Sequence, residues 1–183
     1  MKDPIVQEGD PVLGTKARAV PKEQVTSPKI KKLIKRMKTV LAKEEYGVAL
    51  AAPQLGEPLR LFVVAGKVFK EDDAGEDTPA PPDKVFINPV LSRLSKKVAE
   101  MSEGCLSVRH KYGTVMRHEK ASVSALDESG KPFTYHGAGL VAHIFQHECD
   151  HLDGILYTDK AVKVEEDEDL KTARQKLKET RGV

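Results

Sequence analysis

Two histidines stand four residues apart in residues 146–154, QHECDHLDG, with a glutamate directly after the first. In a helix of about 3.6 residues per turn, His147 and His151 lie about 40° apart on one face and one turn apart along the axis. Both imidazoles can then hold one metal ion. Glu148, turned about 100° from His147, is too far round to be an obvious ligand. It can lean toward a water at the metal, which is the general-base role of an HExxH motif. A catalytic centre of this kind takes three protein ligands and keeps an open position. The third ligand has to come from Cys, His, Asp or Glu.

Cys149 lies inside the motif but about 200° around the helix from His147. It therefore points away from the metal and reads as a buried structural thiol. Cys105 stands in SEGCLSV, where Gly104 and the extended residues after it describe a backbone able to pass close to an ion. On spacing alone Cys105 reads equally as the third ligand and as a small core residue. The longer pattern HExxHxxGxxH is followed through Gly154 but ends on Tyr157, which removes a three-histidine site. Glutamate ligation from Glu165, Glu166 or Glu168 is disfavoured, because these lie in a charged segment expected to be exposed. His143 is four residues before His147 on the same face and reads as a pocket wall or a satisfied helix histidine, with Ile144 where a base would stand.

The chain has 183 residues, enough for one core, and 39% are hydrophobic with no tryptophan, so that core is built from aliphatic side chains. Its 30 basic and 28 acidic residues leave a net charge of +2, which excludes a general polyanion binder. Two cysteines cannot form a disulfide framework. The first residues, MKDPIVQEGDPVLG, lack the apolar run of a signal peptide, and no stretch approaches a membrane span. The expected location is the cytoplasm, or an organelle if a transit peptide has been removed, with neither DNA nor membrane as a partner.

The elements that must position these residues follow from periodicity. Residues 4–21, punctuated by Pro4, Gly9, Pro11, Gly14 and Pro21, form an irregular surface arm. Ser27 caps and Pro28 opens an amphipathic helix running to Glu45, with Ile30, Leu33, Ile34, Met37, Val40 and Leu41 on its apolar face. Its Lys-rich opposite face reads as a solvated surface, with an RNA-facing surface the alternative. Residues 47–56, GVALAAPQLG, make a small-residue loop. Strands are expected at 59–65, 84–91, 96–101, 112–116, 120–126 and 132–136, with DESG at 127–130 as a hairpin turn. The acidic run between residues 70 and 84 is expected to be a mobile loop. Residues 137–139 open the metal-binding helix, Gly154 closes it, ILYTD at 155–159 forms a short strand, and a charged helical tail follows.

Three stretches together carry a resemblance. GVALAAPQ at 47–54, EGCLS at 103–107 and QHECDHLDG at 146–154 resemble the three signature motifs of the peptide deformylases, in the same order. IVQEGDPVL, FINP at 86–89 and DESGKPF are also similar to that family. The resemblance implies an α+β fold: a central metal-binding helix packed among antiparallel β-sheets, with an N-terminal amphipathic helix and a C-terminal helix. Residues 1–164 are expected to form a single catalytic domain and 165–183 its charged tail.

The same resemblance implies that Cys105, His147 and His151 hold one divalent metal, Fe²⁺ in the cell, with Zn²⁺, Ni²⁺ or Co²⁺ able to replace it. Glu148 would be general base and then general acid. The Gln54 side-chain amide and the Leu106 backbone N–H would hold the developing oxyanion. Val48, Ala49, Gly104 and Leu106 would line the substrate groove. The implied partner is the N-formylmethionyl end of a new polypeptide, hydrolysed to formate and a free amine, with ribosome contact through the tail or the Lys-rich helix as a weaker expectation.

The chain departs from the family pattern at Ala49, where glycine is usual and a methyl would narrow the groove, and at Arg109, where proline is usual. Arg117 is the expected partner of Glu103 or Asp150 behind the ligands. A metallopeptidase of other specificity is disfavoured by EGCLS and AAPQ. A silent relative that only binds formylated ends is disfavoured because no ligand or base is missing.

Overall fold

The structure, a computed structural model, describes residues 4–70 and 78–166. The first helix, α1, spans Pro28–Leu41; the Ser27 hydroxyl accepts from the Ile30 N–H at 3.4 Å and Pro28 occupies the first turn. The six apolar residues picked out by periodicity are all buried. It stops short of the expected Glu45, and residues 42–48 turn back toward a sheet.

That sheet has five antiparallel strands in the order β1-β2-β3-β6-β7, where β1 is Ala49–Ala51, β2 Leu61–Val64, β3 Lys84–Ser92, β6 Lys120–Leu126 and β7 Pro132–Ala138. Successive side chains of a strand face opposite ways. Leu61 and Val63 therefore pack with Ile30, Leu33 and Met37 of α1, while Phe62 and Val64 pack with Ile144, Phe145 and Leu152 on the other face. Those last three belong to α2, Leu140–Leu152, the helix carrying the HExxH motif. Phe62 stacks on Phe86 at 4.7 Å, and Phe145 meets Phe86 edge-on at 5.2 Å. The motif helix is thus fixed by an aromatic core on the face away from its histidines.

A second sheet of three strands, β4 (Val98–Cys105), β5 (Val108–His118) and β8 (Lys163–Glu166), brings Cys105 to α2. Its register runs regularly to Gly104↔Tyr112 and then jumps to Cys105↔Val108. This irregularity ends the pairing and re-aims the cysteine, as bulges next to sites do.

Three local expectations are corrected. Residues 47–56 are not all loop, because Ala49–Ala51 pair with Phe62, Val63 and Val64 of β2; small side chains carry no strand signal, and the partner strand supplies it. The segment ILYTD is not a strand: Tyr157–Asp159 is a 3-10 turn whose Asp159 carboxylate accepts from the Leu156 N–H at 2.8 Å. Glu165 and Glu166 do not begin a helix but lie in β8 on the free edge of β5, anchored by the Val162 N–H donating to Thr114 O. The helical tail from 167 onward and residues 71–77 of the expected 70–84 loop lie outside the described residues.

The arm of residues 4–21 buries Ile5, Leu13, Ala17 and Val20 and ties itself to both halves of the site. Its Val6 N–H donates to Gln54 O, Glu8 N–H to Ser107 O, and Ala17 N–H to Leu152 O. Gly154, just past α2, takes φ 76°, and a Cβ there would stand 2.8 Å from the carbonyl carbon and oxygen of Gly14. Only glycine lets the arm close on the helix end. Gly154→Ala is expected to cost about 2–3 kcal/mol and to lower the Tm by roughly 5–10 °C, read by thermal unfolding. An unchanged Tm would mean that the arm is not docked against α2.

Candidate active site

On α2 the rings of His147 and His151 lie edge to face with centroids 4.9 Å apart. Cys105 Sγ, delivered by the end of β4, stands 3.2 Å from His151 Nε2. Ligand atoms of Cys105, His147 and His151 all fall within 4.8 Å of one another. Around one ion, with metal–sulfur near 2.3 Å and metal–nitrogen near 2.0–2.1 Å, tetrahedrally placed ligand atoms are about 3.5 Å apart. The three side chains therefore fit a single cation. Burial pushes the Cys105 thiol up to about 12, and coordination to a cation is what displaces such a proton. His151, fully out of water, is held neutral by burial, well below the usual imidazole range.

His147 is oriented from behind. Its Nδ1 lies 2.7 Å from Glu103 Oε2. An ionised carboxylate only accepts, so the ring proton is on Nδ1 and Nε2 is the atom left to bind metal. Arg117 donates to Glu103 through Nε at 2.6 Å and Nη2 at 3.1 Å, and its Nη1 donates to Asp150 at 2.6 Å. The expected partnership of Arg117 with Glu103 and Asp150 is thus met on both sides. His143 Nε2 lies 2.9 Å from Glu103 Oε1, which makes it a wall of the cleft paired to Glu103 through one ring nitrogen, while its buried Nδ1 meets no partner among the described residues. Burial disfavours the charge on Glu103, but the bonds from His143, His147 and Arg117 outweigh it and hold the carboxyl well below the usual range.

Glu148 is buried beside the ligands, and its Oε2 meets no hydrogen-bond donor among the described residues. Burial, reinforced by the Glu103 charge, pushes its carboxyl up to about 8. A carboxyl balanced near neutrality can both take and return a proton.

Gln54 is held at its carbonyl end, where Oε1 accepts from the Ala51 N–H at 2.8 Å. Its Nε2 donates to Ser107 Oγ at 3.2 Å and stands 3.5 Å from Cys105 Sγ, so the second N–H faces the ligand cluster. Cys149 packs in the aromatic core with Phe145 and Leu152, away from the cluster.

These groups form the base of a cleft of about 400 Å³, walled by Val48, Ala49, Gly104, Leu106 and Ile144. A Cβ on Gly104 would stand 3.1 Å from the Tyr112 ring, a contact tight enough that the ring would have to give. Every residue expected at the site lines this cleft or touches a residue that does. Sequence reasoning missed three supporting residues. Ser107 anchors Gln54, and Tyr157, known only as a non-histidine, stacks against His147 at 6.3 Å between ring centres. Lys160 completes Asp150 through a 2.6 Å bond. The motif EGCLS carried a signal for Ser107; nothing local marked the other two.

The profile of the polypeptide deformylase family matches residues 2–167. A peptide deformylase from Christiangramia forsetii is 37% identical over 161 residues, covering 86% of this chain and 80% of its own. Peptide deformylase 1A, chloroplastic/mitochondrial, of Arabidopsis thaliana is 42% identical over 164 residues, covering 86% of this chain. This chain spans 61% of that plant relative's length. The crystal structure of a class I type b peptide deformylase from Acinetobacter baumannii with Met-Ala-Ser bound superposes with a TM-score of 0.74 at 30% identity, covering 85% of this chain and 96% of the other. With three signature motifs converging on one cleft and a profile match over nearly the whole length, the chain belongs to the polypeptide deformylase family.

Proposed function

We propose that this protein is a metal-dependent hydrolase that removes the formyl group from the N-terminal formylmethionine of newly made polypeptides and releases formate. The observation that carries this reading is the placement of a buried, donor-free Glu148 carboxylate beside a Cys105–His147–His151 cluster at the base of a cleft. A formamide is a poor electrophile with a poor leaving group, so hydrolysis needs carbonyl polarisation, a nucleophile formed near neutral pH, and proton delivery to the amine. A divalent cation held by the three side chains supplies a Lewis acid and lowers the pKa of water. Glu148 takes the proton from the attacking water and returns it to the departing amine nitrogen. The Gln54 N–H directed at Cys105 Sγ and the backbone N–H of Leu106 donate to the oxygen on which negative charge develops. Val48, Ala49, Gly104 and Leu106 hold the substrate's backbone and first side chain.

The donor set of one thiolate and two imidazoles accepts Fe²⁺, Zn²⁺, Ni²⁺ or Co²⁺; Fe²⁺ is our assignment for the cell. The Met-Ala-Ser bound to the Acinetobacter relative supports a peptide with a free methionine amine as the product. New chains would reach the enzyme at the ribosome, and the exposed Lys29, Lys31, Lys32, Lys35 and Arg36 of α1 are the surface proposed to meet it. No helix among the described residues is long and apolar enough to cross a membrane. The cytoplasm is the expected compartment, with an organelle the alternative that the plant relative's name raises.

Glu148→Ala is expected to lower kcat for formate release from formyl-Met-Ala-Ser by about 10²–10⁴-fold while the purified protein keeps its metal content. Turnover at the unaltered rate would show that another group is the base. Stripping the protein with a chelator should abolish formate release, and Ni²⁺ or Co²⁺ should restore it. Full activity in protein shown by elemental analysis to be metal-free would overturn the assignment of Cys105, His147 and His151.

A further inference from the structure

Arg109, where the resembled family usually has proline, carries a contact that the chemistry above does not use. Its guanidinium meets the Glu44 carboxylate as a fork, with Nη1 to Oε2 at 3.2 Å and Nη2 to Oε1 at 3.1 Å. The side chains are only 24% and 21% exposed and lie 65 residues apart in sequence. Arg109 is on β5, and Glu44 is in the connection from α1 to β1. Both residues line the cleft. The pair therefore joins the two elements that form its sides.

On its other side the connection it grips is tied by Lys67 Nζ, which donates to Glu45 O at 3.2 Å. Its backbone turns on the Gly47 N–H donating to Glu44 O, and the Val48 carbonyl accepts from the Ala65 N–H. Next to Glu44 on this edge is Tyr46, which lines the cleft yet is 84% exposed. Tyr112, part-exposed, lies over Gly104 on the β4–β5 side. Both aromatic residues line the cleft, and the fork is a direct link between the elements that carry them. A substrate with its formyl carbon beside Glu148 must run outward between those elements.

We propose that the Arg109–Glu44 ion pair is a positioning device for the peptide residues that follow the formylated methionine. It holds the Tyr46 edge of the cleft at a fixed separation from the edge bearing Gly104 and Tyr112. This rests on the deformylase reading above. The two charges neutralise each other, so the pair sets the width of the cleft and does not attract a charged side chain. Its effect falls on binding of the extended peptide and spares the chemical step, where neither residue reaches.

The test compares formyl-Met-Ala-Ser with formyl-methionine amide, which ends before the mouth. For the tripeptide, Arg109→Ala and Glu44→Ala are each expected to raise KM about fivefold with kcat held within about twofold, the scale of a half-buried bidentate pair. The KM of the amide should not move. Arg109→Lys, which keeps the charge but not the fork, should fall between. The reversed double variant, Arg109→Glu with Glu44→Arg, should recover most of the loss. An unchanged tripeptide KM, an equal rise for both substrates, or no recovery in a folded reversed variant would each overturn the inference. Absence of formate release by the unaltered protein would instead overturn the deformylase reading, and this inference with it.

Discussion

Glu103 is a carboxylate with no exposed surface, and a charge taken out of water is stable only when its lone pairs are met by donors. Each of its oxygens accepts two bonds: Oε1 from Arg117 Nε and His143 Nε2, Oε2 from Arg117 Nη2 and His147 Nδ1. That saturates the roughly four acceptor positions a carboxylate offers. Removing one partner from such a buried pair costs about 3–5 kcal/mol. The interaction joins β4, β5 and α2, so the strand that delivers Cys105 and the helix that delivers the histidines cannot shift independently.

From this fixed point the chemistry is built outward. Glu103 assigns the proton of His147 to Nδ1 and frees Nε2, while Asp150, shared by Arg117 and Lys160, braces the same helix one turn further on. The opposite face of α2 is locked by Phe145 in the aromatic core, so rotation of the helix about its axis would break packing and ion pairing together. Glu148 Oε2 meets no donor among the described residues, while the nearby donors Arg117, His143 and His147 are paired to Glu103. Gln54 is set by β1 and Ser107, from a different part of the chain. Precision of this kind comes from rigid elements whose supporting partners are themselves satisfied.

Much of this was legible from residue order. The spacing of His147 and His151 implied one helical face, and angular position alone placed Cys149 in the core. Arg117 could be paired in advance with Glu103 or Asp150, and it meets both. The apolar periodicity of residues 30–41 found α1. Other features depend on distant partners and left no local trace. Ala49–Ala51 is a strand only because β2 lies beside it, and Lys163–Glu166 only because β5 has an edge to fill. Tyr157 lay in an apolar run that reads as a strand, but the Asp159 cap folds that run into a turn and puts the ring on His147. Cys105 was undecided on spacing until the register jump after Gly104 showed where its sulfur goes.

The account stands on Glu103 orienting His147, and the most direct test is the affinity of the metal-stripped protein for Zn²⁺, measured for Glu103→Gln beside the unaltered protein with the fold of both checked by circular dichroism. The amide has one acceptor oxygen where the carboxylate has two, so it cannot accept all four bonds, and its NH₂ would face two of the donors. Affinity is predicted to fall about 10–100-fold in a variant that remains folded. Equal affinity in the folded variant would contradict the account, since His147 would then reach the metal without the carboxylate behind it.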